Sequence, residues 1–286
     1  CDYFCTFCTI PLARGKSRSS SIAETLRSAK EAATNKVKEI VLTGVNIGDF
    51  GAGSSESFIG LIKELDKLNG VERFRISSIE PDLLTDEVIS FVAGSKKFAP
   101  HFHLPLQSGS DRILGLMRRR YDTSVYLNRV EMIRERMPDA SIGVDVIVGF
   151  PGETEVEFLK TYDFLKDLPI SYLHVFTYSE RPDTSAIKIK EDIVPMGTRK
   201  ERNRMLTILS EKKRQQFYQQ FSGKKRPVLF ENTTTDGVNY GYTDNYIRVS
   251  SVSHKQLSNK IIPTLLTEQV NGVYNCSIDQ ESALTV

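Results

Sequence analysis

The sequence predicts an α/β protein: a partial, open parallel β/α barrel followed by a small all-β barrel. Three observations carry that reading. Short apolar runs alternate with helical patterns five times up to Tyr178. The composition then turns basic through one long helical stretch. Beyond Gly223, five β-like runs are separated by turn residues.

The strands come first. EIVLTG (39–44), RFRISS (73–78), HFHLPL (101–106), VDVIVG (144–149) and YLHVFTY (172–178) are short and rich in β-branched or aromatic residues. Helical patterns lie between them, at 21–35, 58–68, 85–92, 110–119, 123–137 and 155–168. Ser20 or Ser21 followed by Glu24 fits a capping box at the first of these. Strand then helix, repeated, argues for parallel strands joined by crossover helices. A closed eight-stranded barrel needs about 250 residues. Here the alternation ends near Tyr178, so the barrel is expected to be open, with a first strand before Cys1.

Residues 188–226 hold twelve Lys or Arg against four acids, an excess of eight positive charges. Most of this stretch reads as one helix, 198–221. The runs PVLFEN, NYGYT, YIRVSS, IIPTLLT and QVNGVYNCSI follow and read as a small barrel of about 60 residues. The expected domains are 1–222, including the basic linker helix, and 223–286.

Composition bounds the function. The 286 residues are 40% apolar and 26% charged, ordinary for a globular protein with a full core. A net charge of +2 gives no global field that names a partner. No run of about 18 apolar residues appears, so no membrane span is expected. No signal peptide is visible. The first residue is cysteine rather than methionine, so native sequence is expected to precede it.

Four cysteines, three of them within CDYFCTFC, do not form a disulfide framework. Bridges inside C-x3-C-x2-C would strain the backbone, and Cys276 is remote. A reducing, cytoplasmic setting follows. Three thiolates from one short loop suit an iron–sulfur cubane with one iron left open to an external ligand. Zinc is the competing metal, but no histidine lies near; the next in sequence is His101. Three ordinary buried cysteines are the third reading.

Cys1, Cys5 and Cys8, with Phe7 before the last, resemble the signature of the radical S-adenosylmethionine (SAM) enzymes. Ile10-Pro11, Arg14-Gly15 and Ser17-Arg18 then follow, as do LTGVNIGDFG, RISSIEP, HLPLQSGSDRIL, MRRRY and GVDVIVGFPGET. In that order these blocks are similar to the methylthiotransferase branch. LTGVNIGDFG and RISSIEP look most like the enzymes acting on N6-threonylcarbamoyladenosine in tRNA. The C-terminal barrel is similar to a TRAM domain.

The resemblance implies roles. Cys1, Cys5 and Cys8 would hold a 4Fe-4S cluster whose open iron chelates SAM, and one electron would then release a 5′-deoxyadenosyl radical. Gly44 and Asn46 stand where a Gly-Gly-Glu-like motif usually meets the methionine end of SAM. Ser78 and Glu80, after Ser77, end a strand where ribose hydroxyls bind. Gln107 offers a donor and an acceptor near SAM or substrate, and Arg119 would reach the SAM carboxylate. The strand around Asp145 would pack on the adenine. Asp145 itself is a polar group in a buried-looking strand, costly unless paired. His103 shares a face with His101 and reads as a proton shuttle, a ligand or, more often, a satisfied core group. Ser108-Gly109-Ser110 looks like a helix start with amides suited to an anion. Glu153 reads as structural, and so does the Cys276 thiol. No side chain is assigned a catalytic role, because cluster and SAM carry the chemistry.

RNA contact is expected from the basic stretch, with Arg199, Lys200, Arg204, Lys224, Lys225 and Arg226 as candidates. Tyr240, Tyr242 and Tyr246 are candidates for base stacking. The implied reaction installs a methylthio group on carbon 2 of N6-threonylcarbamoyladenosine beside the anticodon. The implied partners are the tRNA anticodon stem-loop and a flavodoxin or ferredoxin. Alternatives are isopentenyladenosine in tRNA, an aspartate of a ribosomal protein, or a non-enzymatic zinc- or RNA-binding module. The family's second 4Fe-4S cluster is held by three cysteines in a preceding domain. Without those, this stretch is expected to bind one cluster and SAM but not to complete methylthiolation.

Overall fold

The computed structural model describes residues 1–233, 237–252, 256–270 and 272–278. After a short α1 (Ile10–Arg14), six helices each begin on a Ser, Thr or Asp whose side chain accepts an amide two or three residues into the first turn. They are α2 (Ile22–Thr34), α3 (Phe58–Asp66), α4 (Asp86–Gly94), α5 (Asp111–Leu116), α6 (Thr123–Arg136) and α7 (Glu155–Asp167). Each cap contributes about 1 kcal/mol and fixes where its crossover begins. The capping box is Ser21 with Glu24.

Five parallel strands alternate with these helices: β1 (Glu39–Leu42), β2 (Arg73–Ile76), β3 (His101–Gln107), β4 (Ser141–Val148) and β5 (Tyr172–Thr177). β1 pairs with β2, and β3, β4 and β5 pair in sequence order. Between β2 and β3 the ladder is interrupted. It is bridged at Phe74–Phe98 and by the Ile79 amide on the His103 carbonyl, 3.1 Å. The array is therefore open, as the length of the alternation predicts. β4 starts earlier than the sequence reading, because Ser141 and Ile142 are buried and pair with His101 and Phe102.

Alternation along the strands sorts the side chains. Leu42, Phe74, Ile76, Phe102, Leu104, Ile142, Val144 and Leu173 pack against the helices and are almost wholly buried. Each contributes roughly 2–3 kcal/mol of burial. The opposite, concave face carries Glu39, Arg73, Arg75, His101, His103, Asp145, Tyr172 and His174. Its N-terminal part, Glu39, Arg73, Arg75 and His101, is largely buried near the seam with the C-terminal barrel, and His103, Asp145 and His174 lie farther along the strands.

α8 (Met196–Gln219) leads to a closed barrel in the order β10-β8-β7-β6-β9. Its strands are β6 (Lys225–Thr233), β7 (Val238–Thr243), β8 (Arg248–Val252), β9 (Lys260–Val270) and β10 (Val273–Ile278). Val228, Phe230, Val249, Ile262, Leu266 and Tyr274 fill it, and Phe217, Tyr218 and Phe221 join them. The last turn of α8 thus belongs to the barrel's core.

The barrel sits against the N-terminal ends of the parallel strands. Arg226 donates to Asp139, 2.7 Å, and to Asp244, 2.9 Å. Arg75 reaches the Asp244 carbonyl at 3.0 Å, and Asn245 donates to the Asp139 carbonyl at 3.0 Å. Tyr246 stacks between His101 and Tyr242, at 4.5 and 4.7 Å, with Arg75 over its ring. Among the described residues no helix is long and apolar enough to cross a membrane.

Candidate active site

The cysteine loop lies at the other end of the sheet, above the strands' C-terminal ends. The residues between the thiols pin it there. Tyr3 is buried, donates to Asp82 at 2.5 Å and carries the Arg120 guanidinium over its ring at 4.2 Å. Thr6 donates its amide to the Met117 carbonyl, 3.1 Å, and its hydroxyl to the Leu116 carbonyl, 2.9 Å. Phe7 meets Phe150 edge-on. Phe4, at φ 51°, turns the chain between the two anchors. Cys1, Cys5 and Cys8 are left as free, half-buried thiols.

Arg119 ties this loop to the sheet. Its guanidinium donates to Cys5 Sγ at 3.0 Å and to the Tyr121 hydroxyl at 3.0 Å, and it pairs with Glu80. Tyr121 in turn donates to the Pro105 and Leu106 carbonyls. Burial pulls the Arg119 charge down, but Tyr121, Glu80 and Cys5 outweigh it and hold the group cationic. Burial pushes the Cys5 thiol up, and Arg119 opposes that. Glu80 is pushed up to about 7 by burial, against the pull of Arg119 and with help from Asp82, Asp145 and Asp49.

Gly44 and Asn46 follow β1 in a cleft of about 590 Å³ shared with Cys1, Arg14, Ser17 and Asp49. Asn46 donates to Asp49 at 2.6 Å, while its Oδ1 is buried without a partner. A buried orphan acceptor beside Cys1 is suited to a ligand's N–H. Ser78 is half-buried after β2. Gln107 is buried at φ 69°, where the β3–β4 register shifts. Asp145 Oδ1 accepts from the His103 Nε2–H at 2.9 Å, so this half-buried carboxylate is paired. Three undisulfided thiols on a pinned loop, with a guanidinium favouring the thiolate of one, fit an iron–sulfur cluster.

Several expectations are corrected. The amides of Ser108-Gly109-Ser110 are not open to an anion. Gly109 donates to Thr161, Ser110 donates to Ser108, and the Ser110 hydroxyl pairs with Glu157. Arg199 is buried, donating to the Val194 and Tyr178 carbonyls and to Glu180, which removes it from an RNA-facing surface. Arg226 is engaged in the seam between the two barrels. Tyr246 is the seam's wedge rather than an open stacking platform. Lys200 and Arg204 are exposed on α8, the latter paired with Glu201 at 2.8 Å. Lys224 and Lys225 are exposed at the start of the barrel, with the Lys224 ammonium 5.4 Å from the Phe221 ring. Glu153 is structural, held by Arg202 and the Gly149 amide.

Sequence reasoning passed over His174. It stands opposite Asp145 in the β4–β5 register. Its parity with Tyr172 in YLHVFTY was the signal available. Tyr3 and Asp82 were also passed over, and nothing in spacing links residues that far apart.

The sequence profile of the Radical SAM superfamily matches residues 1–165. The chain is 43% identical over 267 residues to threonylcarbamoyladenosine tRNA methylthiotransferase of Aquifex aeolicus, covering 93% of this chain and 63% of that protein. The Bacillus subtilis enzyme of the same name is 40% identical over 268 residues, 92% of this chain and 59% of that protein. A tRNA-2-methylthio-N(6)-dimethylallyladenosine synthase of Acetivibrio thermocellus is 36% identical over 283 residues, 98% of this chain and 58% of that protein. The chain thus spans about three fifths of the length of these relatives. The fold is shared with the radical S-adenosylmethionine methyltransferase TsrM of Kitasatospora setae, solved with cobalamin and a [4Fe-4S] cluster. The TM-score is 0.57 at 16% identity, over 65% of this chain and 36% of that one.

Proposed function

The chain belongs to the Radical SAM superfamily, and from that premise we propose that the whole protein methylthiolates carbon 2 of N6-threonylcarbamoyladenosine beside the anticodon of tRNA. The observation that carries this reading is the pinned loop of Cys1, Cys5 and Cys8 with Arg119 on Cys5. The substrate is taken from the relatives at 40–43% identity, ahead of the 36% dimethylallyl relative.

In this reading Cys1, Cys5 and Cys8 hold a 4Fe-4S cluster, and Gly44, Asn46, Ser78, Glu80, Gln107, Arg119 and Asp145 surround SAM. The cluster, when bound, supplies the electron that cleaves SAM. The chain's own residues do the rest by position. Asn46 Oδ1 offers an acceptor to the SAM ammonium, and Glu80 offers one to a ribose hydroxyl. Arg119 keeps the Cys5 thiolate and the Glu80 carboxylate compensated while water is excluded. Lys200, Arg204, Lys224 and Lys225 supply exposed cations for the anticodon stem-loop. A cytoplasmic flavodoxin or ferredoxin supplies electrons, and a second cluster comes from residues outside this chain.

Mass spectrometry of tRNA nucleosides from cells lacking the full-length protein tests the reading. Loss of the 2-methylthio form, with N6-threonylcarbamoyladenosine accumulating, is expected. Loss of the methylthiolated isopentenyladenosine instead would move the assignment to the dimethylallyl branch.

A further inference from the structure

The concave face holds a second constellation below the cysteine loop. His103, Asp145 and His174 come from three neighbouring strands, β3, β4 and β5. Their registers place them side by side: His103 opposite Gly143, and Asp145 opposite His174. One ligand atom from each lies within 4.8 Å of the others. His103 Nε2 and Asp145 Oδ1 are 2.9 Å apart. Two ligands each about 2.1 Å from one zinc ion are separated by about 3.0–3.4 Å, so this hydrogen-bonded pair would need to open by only a few tenths of an ångström, with its shared proton lost, to hold the ion. His103 and Asp145 are partly buried, and His174 is exposed to the lumen.

The surroundings hold the rings in place. His103 and His174 meet at 5.6 Å, and Tyr172 meets His174 at 5.2 Å. Tyr172 lies over Gly143, where a Cβ would fall 2.4 Å from its ring atoms, so only glycine lets the tyrosine pack there. Tyr172 is itself fixed by His101 at 3.1 Å. Two imidazoles and a carboxylate on one face, with the lumen side open, form a donor set used for mononuclear divalent metals.

We propose that His103, Asp145 and His174 form a binding site for one divalent transition-metal ion, of which zinc is the representative, in the lumen and distinct from the cysteine loop. Three protein ligands leave the remaining positions open on the side of the exposed His174, where an oxygen of a bound substrate can enter. The site stands on its own geometry, although it shares Asp145 with the residues proposed to surround SAM, so its test is read in the absence of SAM.

The test uses the chain with Cys1, Cys5 and Cys8 replaced by alanine, so that no cysteine loop competes for the ion. Zinc is titrated against a chromophoric chelator, and metal per chain is counted after gel filtration. One ion per chain is expected, with affinity falling at least tenfold in His174→Ala and in Asp145→Asn. Cobalt in place of zinc should give visible d–d bands that His174→Ala abolishes. His174 is exposed, so its replacement leaves the fold intact, and circular dichroism verifies that. If the triple variant does not fold, zinc is counted separately from iron in the cluster-loaded chain and its His174→Ala form. No stoichiometric zinc, or zinc unmoved by His174→Ala, overturns the proposal and leaves His103–Asp145 as a plain hydrogen bond.

Discussion

Replacing Arg119 by methionine takes a buried cation from between a carboxylate and a thiol. The side chains of Arg119 and Glu80 are 3% and 16% exposed, so the pair is shielded from water. Removing one partner of a buried pair typically costs about 3–5 kcal/mol, chiefly because the other charge is stranded. Here the stranded group is Glu80, which already has Asp82, Asp145 and Asp49 near it. Methionine keeps most of the apolar stem, so little packing is lost. Adding Glu80→Gln should therefore restore about 2 kcal/mol, since no buried acid is left uncompensated. Urea unfolding of Arg119→Met, Glu80→Gln and the double variant completes the cycle. A loss below about 1 kcal/mol, as an exposed pair would give, refutes the reasoning. So does a double variant no more stable than Arg119→Met.

Arg199→Ala should cost about 2–5 kcal/mol in chemical unfolding, because two buried carbonyls and Glu180 lose their donor. Lys200→Ala, one residue on and exposed, should change stability by less than about 0.5 kcal/mol. It should instead lower the slope of log affinity for anticodon stem-loop RNA against log salt by about 1. Glu153 is pushed up to about 7 by burial, above the ordinary glutamate value near 4.5. Its folded pKa thus lies above the unfolded one, and its contribution is largest at low pH and is lost as pH rises from about 4.5 to about 7. The stability of the wild type relative to Glu153→Gln should therefore fall across that window by up to about 3 kcal/mol. A flat difference would contradict it. Tyr246→Ala should loosen the seam by about 2 kcal/mol through its lost ring contacts. Tyr246 sits at φ 68°, so Tyr246→Gly should be no worse than Tyr246→Ala by the same measure.

The open barrel was legible because burial on one face and helices between strands impose a period that any window of the chain displays. The cysteine trio was legible because all its ligands fall within one loop. The basic helix misled for a physical reason. Arg199, Arg202 and Lys213 carry charges that lie under the surface, each satisfied by carbonyls or acids from other elements. Burial even pushes Lys213 down to about 8. Counting charges cannot tell a solvated cation from one that caps a loop more than 40 residues away. Tyr246 misled likewise. An aromatic side chain beside turn residues reads as a stacking platform, and only the tertiary docking reveals His101 beneath it. The His103–Asp145 pair needed the strand register, which alternation constrains but does not set between strands.

The most direct test of the central claim is electron paramagnetic resonance of the anaerobically reconstituted, reduced chain, before and after adding S-adenosylmethionine. A 4Fe-4S signal that shifts on addition, and that vanishes when Cys1, Cys5 and Cys8 are replaced by alanine, is the predicted result. A spectrum with no such signal, or one unmoved by the added cosubstrate, would contradict it.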